Sequence, residues 1–209
     1  MRIIAGKYRA KKLTAPDGMT TRPTSDRARE AVFNMLDSKL RKNGAGWENL
    51  VVLDVFAGTG ALGIEALSRG AKVLFAAEKD PAAARCFYQN AAFCIKDGLQ
   101  VCLFSDALDP PSARVPASIV FMDPPYDQGL VAPALDILTR KGWIDRQTIC
   151  VVEVARHEQD VLPPDFAVTD RRVYGMAEIL FARRKYIPAA GQLKRLLFCF
   201  PHADGSAAN

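Results

Sequence analysis

The run Asp123-Pro124-Pro125-Tyr126 concentrates groups able to act on a planar amine. It follows the apolar stretch Ile119-Val120-Phe121-Met122, which reads as a buried strand. Proline fixes its own φ and has no N–H, so the carbonyls here stand as rigid, bare acceptors. Asp123 adds another acceptor. Together they would hold both hydrogens of an exocyclic amine on a base and favour a pyramidal, nucleophilic nitrogen. Tyr126 offers a ring on which an extruded base stacks. A stiff loop that merely ends a strand is the bland alternative. The residues predict N-methylation, with Asp123, Pro124, Pro125 and Tyr126 as the catalytic set.

A glycine-rich loop supplies the second candidate site. Asp54-Val-Phe-Ala-Gly58-Thr-Gly60-Ala-Leu-Gly63 follows an apolar strand and opens a helix. Its glycines allow a tight turn, and backbone amides can approach a ligand at the helix start. Gly58, Gly60 and Gly63 formally complete GxGxxG, so a dinucleotide-binding dehydrogenase competes, as does a turn with no ligand. Asp54 would repel a pyrophosphate but suits a cationic amino-acid group. Glu78 stands after the next strand, twenty residues past Gly58, where a carboxylate binds ribose hydroxyls. Asp106, after the third strand, is placed to accept from an adenine amino group. One acid after each of three strands describes an adenosine with a positive tail: S-adenosylmethionine. The expected cofactor contacts are Asp54, Phe56, Ala57, Gly58, Thr59, Gly60, Glu78, Lys79, Asp106 and Ala107.

The elements that must position these groups alternate along the chain. Strands are predicted at 50–55, 72–77, 99–104, 118–122 and 148–154, with helices near 60–69, 81–95 and 129–141. Continuous apolar runs suit a parallel sheet covered on both faces. The runs 166–174 and 177–183, parted only by Gly175-Met176, force an antiparallel hairpin. The expected fold is therefore α/β and doubly wound: a mostly parallel seven-stranded sheet ending in an antiparallel hairpin. Upstream, Arg2–Ala5 and Tyr8–Leu13 read as a small basic β-hairpin. Thr24 or Ser25 is a suitable N-cap for a helix carrying Ala28, Ala31, Val32, Met35 and Leu36 on one side and Arg27, Arg29 and Glu30 on the other. Expected divisions are a hairpin extension (1–20), a main domain (21–187) and a tail without a functional reading (188–209).

With 209 residues and 49% apolar content, one packed domain is expected, not a disordered chain or a membrane bundle. The start of the chain lacks an apolar segment long enough for a signal peptide. Five cysteines without a CxxC pair read as reduced thiols in a cytoplasm. Two histidines exclude a His-rich metal site, and no metal is expected. Residues 1–42 hold eleven Lys/Arg against four acids, so this segment carries +7 and the remainder −2. Such asymmetry fits a polyanion-binding face, with a solvated terminus as the alternative. The candidate RNA contacts are Arg2, Lys7, Arg9, Lys11, Lys12, Arg22 and Arg27.

The glycine loop, Glu78, Asp106 and Asp-Pro-Pro-Tyr resemble the class I S-adenosylmethionine-dependent methyltransferases acting on amino groups. Met-Arg-Ile-Ile-Ala-Gly-Lys-Tyr-Arg at 1–9 and Thr-Arg-Pro-Thr-Ser-Asp-Arg-Ala-Arg-Glu-Ala-Val-Phe-Asn-Met-Leu at 21–36 resemble the bacterial 16S rRNA guanine-N2 methyltransferase family. That resemblance, over about residues 1–185, implies methylation of the guanine N2 at position 966 of 16S rRNA. It implies that Asp123 is the catalytic acceptor and that Arg22, Pro23 and Thr24 lie between cofactor and RNA, which adds Thr24 to the cofactor contacts. Ala10 stands where glycine is expected. The partner implied is rRNA, naked or in a small-subunit assembly particle, bound by a monomer away from any membrane. A DNA adenine-N6 methyltransferase and a catalytically silent RNA-binding assembly factor stay open as alternatives.

Overall fold

Apolar strands alternate with amphipathic helices, and the central strands Ile119–Met122 and Ile149–Ala155 are buried on both faces. The computed structural model describes residues 1–16 and 26–186. The elements run α1 (Asp26–Lys42), β1 (Val51–Val55), α2 (Ala61–Arg69), β2 (Val73–Ala77), α3 (Pro81–Lys96), β3 (Gln100–Phe104), β4 (Ile119–Met122), α4 (Val131–Arg140), β5 (Ile149–Ala155), β6 (Phe166–Tyr174) and β7 (Ala177–Arg184). They form a seven-stranded sheet in the order β3-β2-β1-β4-β5-β7-β6. Strands β3, β2, β1, β4 and β5 are parallel, while β7 pairs antiparallel with both β5 and β6. This is the doubly wound sheet with a terminal hairpin that the alternation predicts, with ends shifted by one or two residues.

Helices α1, α2 and α3 cover one face, where Phe33, Leu36, Ile64, Phe87 and Phe121 are buried together. Helix α4 covers the other, where Leu53, Val120, Leu135 and Trp143 pack. The chain reverses direction of growth between β1 and β4, and a ligand crevice lies outside the carboxyl ends of strands at such a switch point.

The N-terminal segment pairs its two runs antiparallel, as the predicted hairpin requires, but short of two full strands. The runs meet at a bridge between Arg2 and Lys12 and through bonds from Ile3 N to Lys11 O, Ala10 N to Ile3 O and Leu13 N to Met1 O, and the chain between them turns onto α2. The reason is competition for backbone amides: Glu65 accepts from Ile4 N (2.7 Å) and Ala5 N (3.0 Å), while Ser68 O accepts from Lys7 N (2.7 Å). Gly6, at φ +80, sits so close that a Cβ would lie 1.9 Å from Ser68 O. Ile3, Tyr8 and Leu13 join the main core, so this segment is a strap on the domain, not an appendage. Arg29, placed by periodicity on the polar side of α1, is buried beneath the strap instead. It donates to Arg2 O (2.6 Å) and Asp26 Oδ1 (3.0 Å), and burial lowers its pKa.

The expected N-caps Thr24 and Ser25, the domain divisions at 20/21 and 187/188, and the tail lie outside the described residues. Cys86, Cys94, Cys102 and Cys150 are free thiols. Among the described residues no helix is long and apolar enough to cross a membrane.

Candidate active site

Strand β1 delivers Asp54 and the glycine loop to the switch point. The loop turns sharply because Phe56 (φ +63), Gly58 (φ +55) and Gly60 (φ +82) all adopt left-handed backbone. Gly60 is required twice over, since a Cβ there would also meet the Phe87 ring at 2.6 Å. Nothing lies within 4 Å of the space a Cβ on Gly58 would fill, which leaves the loop open for a ligand to approach its backbone. Gly60 begins α2 without a capping side chain, and Asp54 takes over part of that work: its Oδ2 accepts from Gly63 N at 2.8 Å. Asp54 is buried, and burial pushes its pKa up to about 8, aided by the charges of Asp123 and Glu78.

Glu78 follows β2 and reaches across to the loop. Its carboxylate accepts from Gly58 N (2.7 Å) and Asp80 N (2.7 Å). Asp106 follows β3, accepts from Leu108 N (2.8 Å) and lies 3.9 Å from the exposed Lys79 ammonium. Ala57 and Ala107 are buried in the walls, and Ala57 N donates to Ala77 O. Thr59 is buried, and its carbonyl accepts from Asn90 Nδ2 at 3.0 Å.

Strand β4 delivers the Asp-Pro-Pro-Tyr run beside β1. Met122 pairs with Val55, so Asp123 stands level with Phe56 across the crevice. Asp123 and Pro125 are exposed, whereas Pro124 is buried. Tyr126 is half-buried, and its hydroxyl donates to Glu153 Oε1 at 2.8 Å. The structure thus brings the loops after β1, β2, β3 and β4 to one edge. Arg22, Pro23 and Thr24 lie outside the described residues.

The basic candidates divide between two ends of the molecule. Helix α1 starts near the carboxyl edge, because Arg29 lines the same small cavity as Met122 and Glu153, and ends near the amino ends of β4 and β5 at Leu40. Arg27 and Lys12 therefore belong to the crevice half, with Arg2 held 3.4 Å from Asp26. Lys11 lies over the Phe93 ring at 4.0 Å. Lys7 pairs with Asp97 (2.8 Å) beyond the end of α3, away from the crevice, and Arg9 follows on the same turn, its amide donating to Gly6 O.

Three polar residues escaped the sequence reading. Asn90 bridges Thr14 of the strap to Thr59 of the glycine loop. Glu65 holds the strap, and Glu153 holds Tyr126. The signal was present in each case: a polar residue inside an apolar helical stripe or, for Glu153, inside the buried run Ile149–Ala155.

Comparison with known proteins agrees with this architecture. The family model described as conserved hypothetical protein 95 matches residues 1–183. Ribosomal RNA small subunit methyltransferase D of Escherichia coli strain K12 is 33% identical over 187 residues, covering 88% of this chain and 90% of that protein. A solved Escherichia coli structure described as a methyltransferase superposes with a TM-score of 0.74 at 33% identity, covering 88% of this chain and 98% of its own. More distantly, the magnesium protoporphyrin IX methyltransferase of Synechocystis PCC 6803, solved with bound SAM, shares the fold at TM-score 0.56 and 16% identity, covering 77% of this chain and 81% of its own. The resemblance read from residues 1–9 and 21–36 therefore has a counterpart across nearly the whole molecule, and the chain belongs to the conserved hypothetical protein 95 family, built as a class I methyltransferase.

Proposed function

We propose that this chain transfers a methyl group from S-adenosylmethionine to the N2 amine of a guanine in small-subunit ribosomal RNA. The observation that carries the reading is the convergence of Asp54, Glu78, Asp106 and the Asp-Pro-Pro-Tyr run on one crevice at the switch point. Supporting it, the named Escherichia coli relative is a small-subunit rRNA methyltransferase, and a distant neighbour of the same fold was solved with SAM.

The residues fit that cofactor. The open approach to Gly58 admits a ligand to the loop backbone, and the carboxylates of Glu78 and Asp106 stand at successive strand ends for ribose hydroxyls and an adenine amine. Phe56, Ala57, Thr59, Gly60, Lys79 and Ala107 would complete the pocket, and a cationic group there would draw Asp54, whose burial raises its pKa to about 8, into its charged form. When bound, the cofactor supplies an electrophilic methyl carbon. The chain's own residues do the rest. A flipped guanine presents N1–H and two N2 hydrogens along one edge, which the Asp123 carboxylate and the Pro124 carbonyl are suited to accept. Adenine presents a lone pair at N1, which a carboxylate would oppose. As N2 takes the methyl group, Asp123 accepts the proton that the nitrogen sheds. Lys12, Arg27 and Arg2 lie on the half of the molecule where rRNA phosphates would pass.

The test is methyl transfer to rRNA from cells lacking the modification, with mass spectrometry of the digested product. Asp123→Ala is expected to slow methylation about 10²–10⁴-fold while leaving fold and cofactor affinity intact. N6-methyladenine in place of N2-methylguanine, or full activity in Asp123→Ala, would overturn the assignment.

A further inference from the structure

Glu153 lies in the middle of β5, flanked by Val152 and Val154, and only 8% of its surface is exposed. A carboxylate in such a strand is costly unless a donor meets it. Strand register explains what it meets: Met122 pairs with Val152, so Glu153 stands beside the point where β4 gives way to Asp123. The loop folds back over it, and the Tyr126 hydroxyl donates to Glu153 Oε1 at 2.8 Å. Two further ties hold the loop to the turn after β5. Asp127 N donates to Glu158 Oε1 (3.0 Å), whose Oε2 accepts from Ala155 N (2.8 Å), and His157 Nε2 lies 2.6 Å from Asp127 Oδ1. Asp127 itself is left-handed, at φ +61, which tightens the loop's exit. The turn is in turn fastened to the β6–β7 hairpin by Arg156 N donating to Met176 O.

We infer that Glu153 is a positioning residue for methyl transfer, fixing the Tyr126 ring as a rigid platform for the target base. The inference rests on the reading of Tyr126 as the surface on which that base stacks. A phenol anchored at both Cβ and Oη cannot swing, so the ordering that base capture requires is already complete in the free protein. A carboxylate acceptor gives a stronger hold than a neutral one. Glu153 touches neither base nor cofactor in this scheme, and it acts through Tyr126.

The experiment compares Glu153→Leu, Glu153→Gln, Tyr126→Phe and Tyr126→Ala with unmethylated small-subunit rRNA as substrate. Glu153→Leu and Tyr126→Phe each break the same tie, and each is expected to raise the KM for RNA about tenfold. The double variant Glu153→Leu/Tyr126→Phe should also show about a tenfold rise, not a hundredfold one. Glu153→Gln keeps an acceptor oxygen and should restore most of the loss, and cofactor affinity should be unchanged throughout. A role confined to stability would instead move melting temperature without this KM pattern. Additive effects, or an unchanged KM in Tyr126→Phe, overturn the positioning role. Tyr126→Ala separates the two layers. If it raises the KM while the Glu153 variants do not, only the positioning inference fails. If it leaves the KM unchanged, the platform reading fails as well. Should Glu153→Leu not fold, the near-isosteric Tyr126→Phe carries the test alone.

Discussion

At the crevice, Asp54 is buried with the charges of Asp123 and Glu78 close by, and its pKa is pushed up to about 8. Under the strap the carboxylates are met by donors: Glu65 by two backbone amides and Arg69, Asp26 by Arg29, and Asp97 by Lys7 and Tyr8. The hydrogen bonds from Lys7 and then Tyr8 hold Asp97 below its usual pKa. The same residue types thus serve opposite ends. Asp54 and Glu78 at the crevice are met by backbone amides, and Asp54 is buried beside like charges, which costs stability and favours a cationic ligand. Glu65, Asp26 and Asp97 are each paired with a cationic side chain as well. Substitutions should separate the two regions: changes at the crevice alter chemistry and pH response, and changes in the strap alter stability.

The largest expected effect on stability concerns Asp54. Its folded pKa, about 8, lies far above the ordinary 3.8, so between roughly pH 4 and 8 the folded chain keeps a proton that the unfolded chain has lost. Its stabilising contribution is therefore complete below pH 4, declines as pH rises, and is gone above pH 8. For a buried group shifted this far the decline is on the order of several kcal/mol. Asp97 and Asp170, whose pKa values are lowered by lysine partners, act below this window. Asp54→Asn keeps an acceptor for Gly63 N without the titration. Urea midpoints of the ligand-free protein from pH 5 to 9 should fall in the parent and stay nearly flat in Asp54→Asn; equal slopes would remove Asp54 as the cause.

Next comes the strap. Gly6→Ala drives a methyl group into the Ser68 carbonyl and forces alanine to φ +80. A loss of about 3 kcal/mol is expected, from the clash and the backbone strain together. Cofactor affinity, measured by calorimetry on the folded fraction, should stay unchanged, because Ser68 lies at the end of α2 away from the glycine loop. A fall in cofactor affinity with unchanged stability would erase the distinction between the two regions.

A smaller effect divides the basic residues themselves. Lys12→Gln/Arg27→Gln should weaken RNA binding about tenfold and lower the slope of log affinity against log salt by about 2, as two phosphate contacts vanish. Lys7→Gln/Arg9→Gln should leave that slope unchanged. A matching drop from the second pair would place the RNA across the strap's far turn.

How far this was legible in the sequence follows from how local each signal is. Buried parallel strands are written as apolar runs, here each carrying a single acid, so Val51–Val55 and Ile149–Ala155 are readable within two residues. Acids at strand ends were readable because sheet topology places all carboxyl ends on one edge. How the strap docks on the domain was not legible, because its partners, Glu65, Ser68 and Asn90, lie sixty or more residues away and are met only through folding. Charge placed Lys7 with Lys12, but charge has no direction along a chain, and the turn at Gly6 sends the two to different ends. Arg29 obeyed helical periodicity only until the strap covered it.

The smallest expected effect lies inside the strap and sharpens its account as a structural fastening. Ala10 has φ +68, a left-handed conformation that costs an L-residue roughly 1–2 kcal/mol, and its amide still donates to Ile3 O at 2.9 Å. The bond keeps the strap's two runs together, so the conformation is held against its own strain. Glycine at this position would keep the bond and lose the strain. Its greater freedom in the unfolded chain offsets part of the gain, by about 0.4–1 kcal/mol. Ala10→Gly is therefore expected to raise stability by about 0.5–1 kcal/mol, read as a higher urea midpoint with an unchanged m-value. Methylation rate and RNA affinity should not move, because the substitution removes one methyl group outside the crevice and leaves the side chains of Arg9 and Lys11 in place. A lower midpoint would mean that the left-handed turn is not strained, and a changed RNA affinity would mean that the strap's turn takes part in binding.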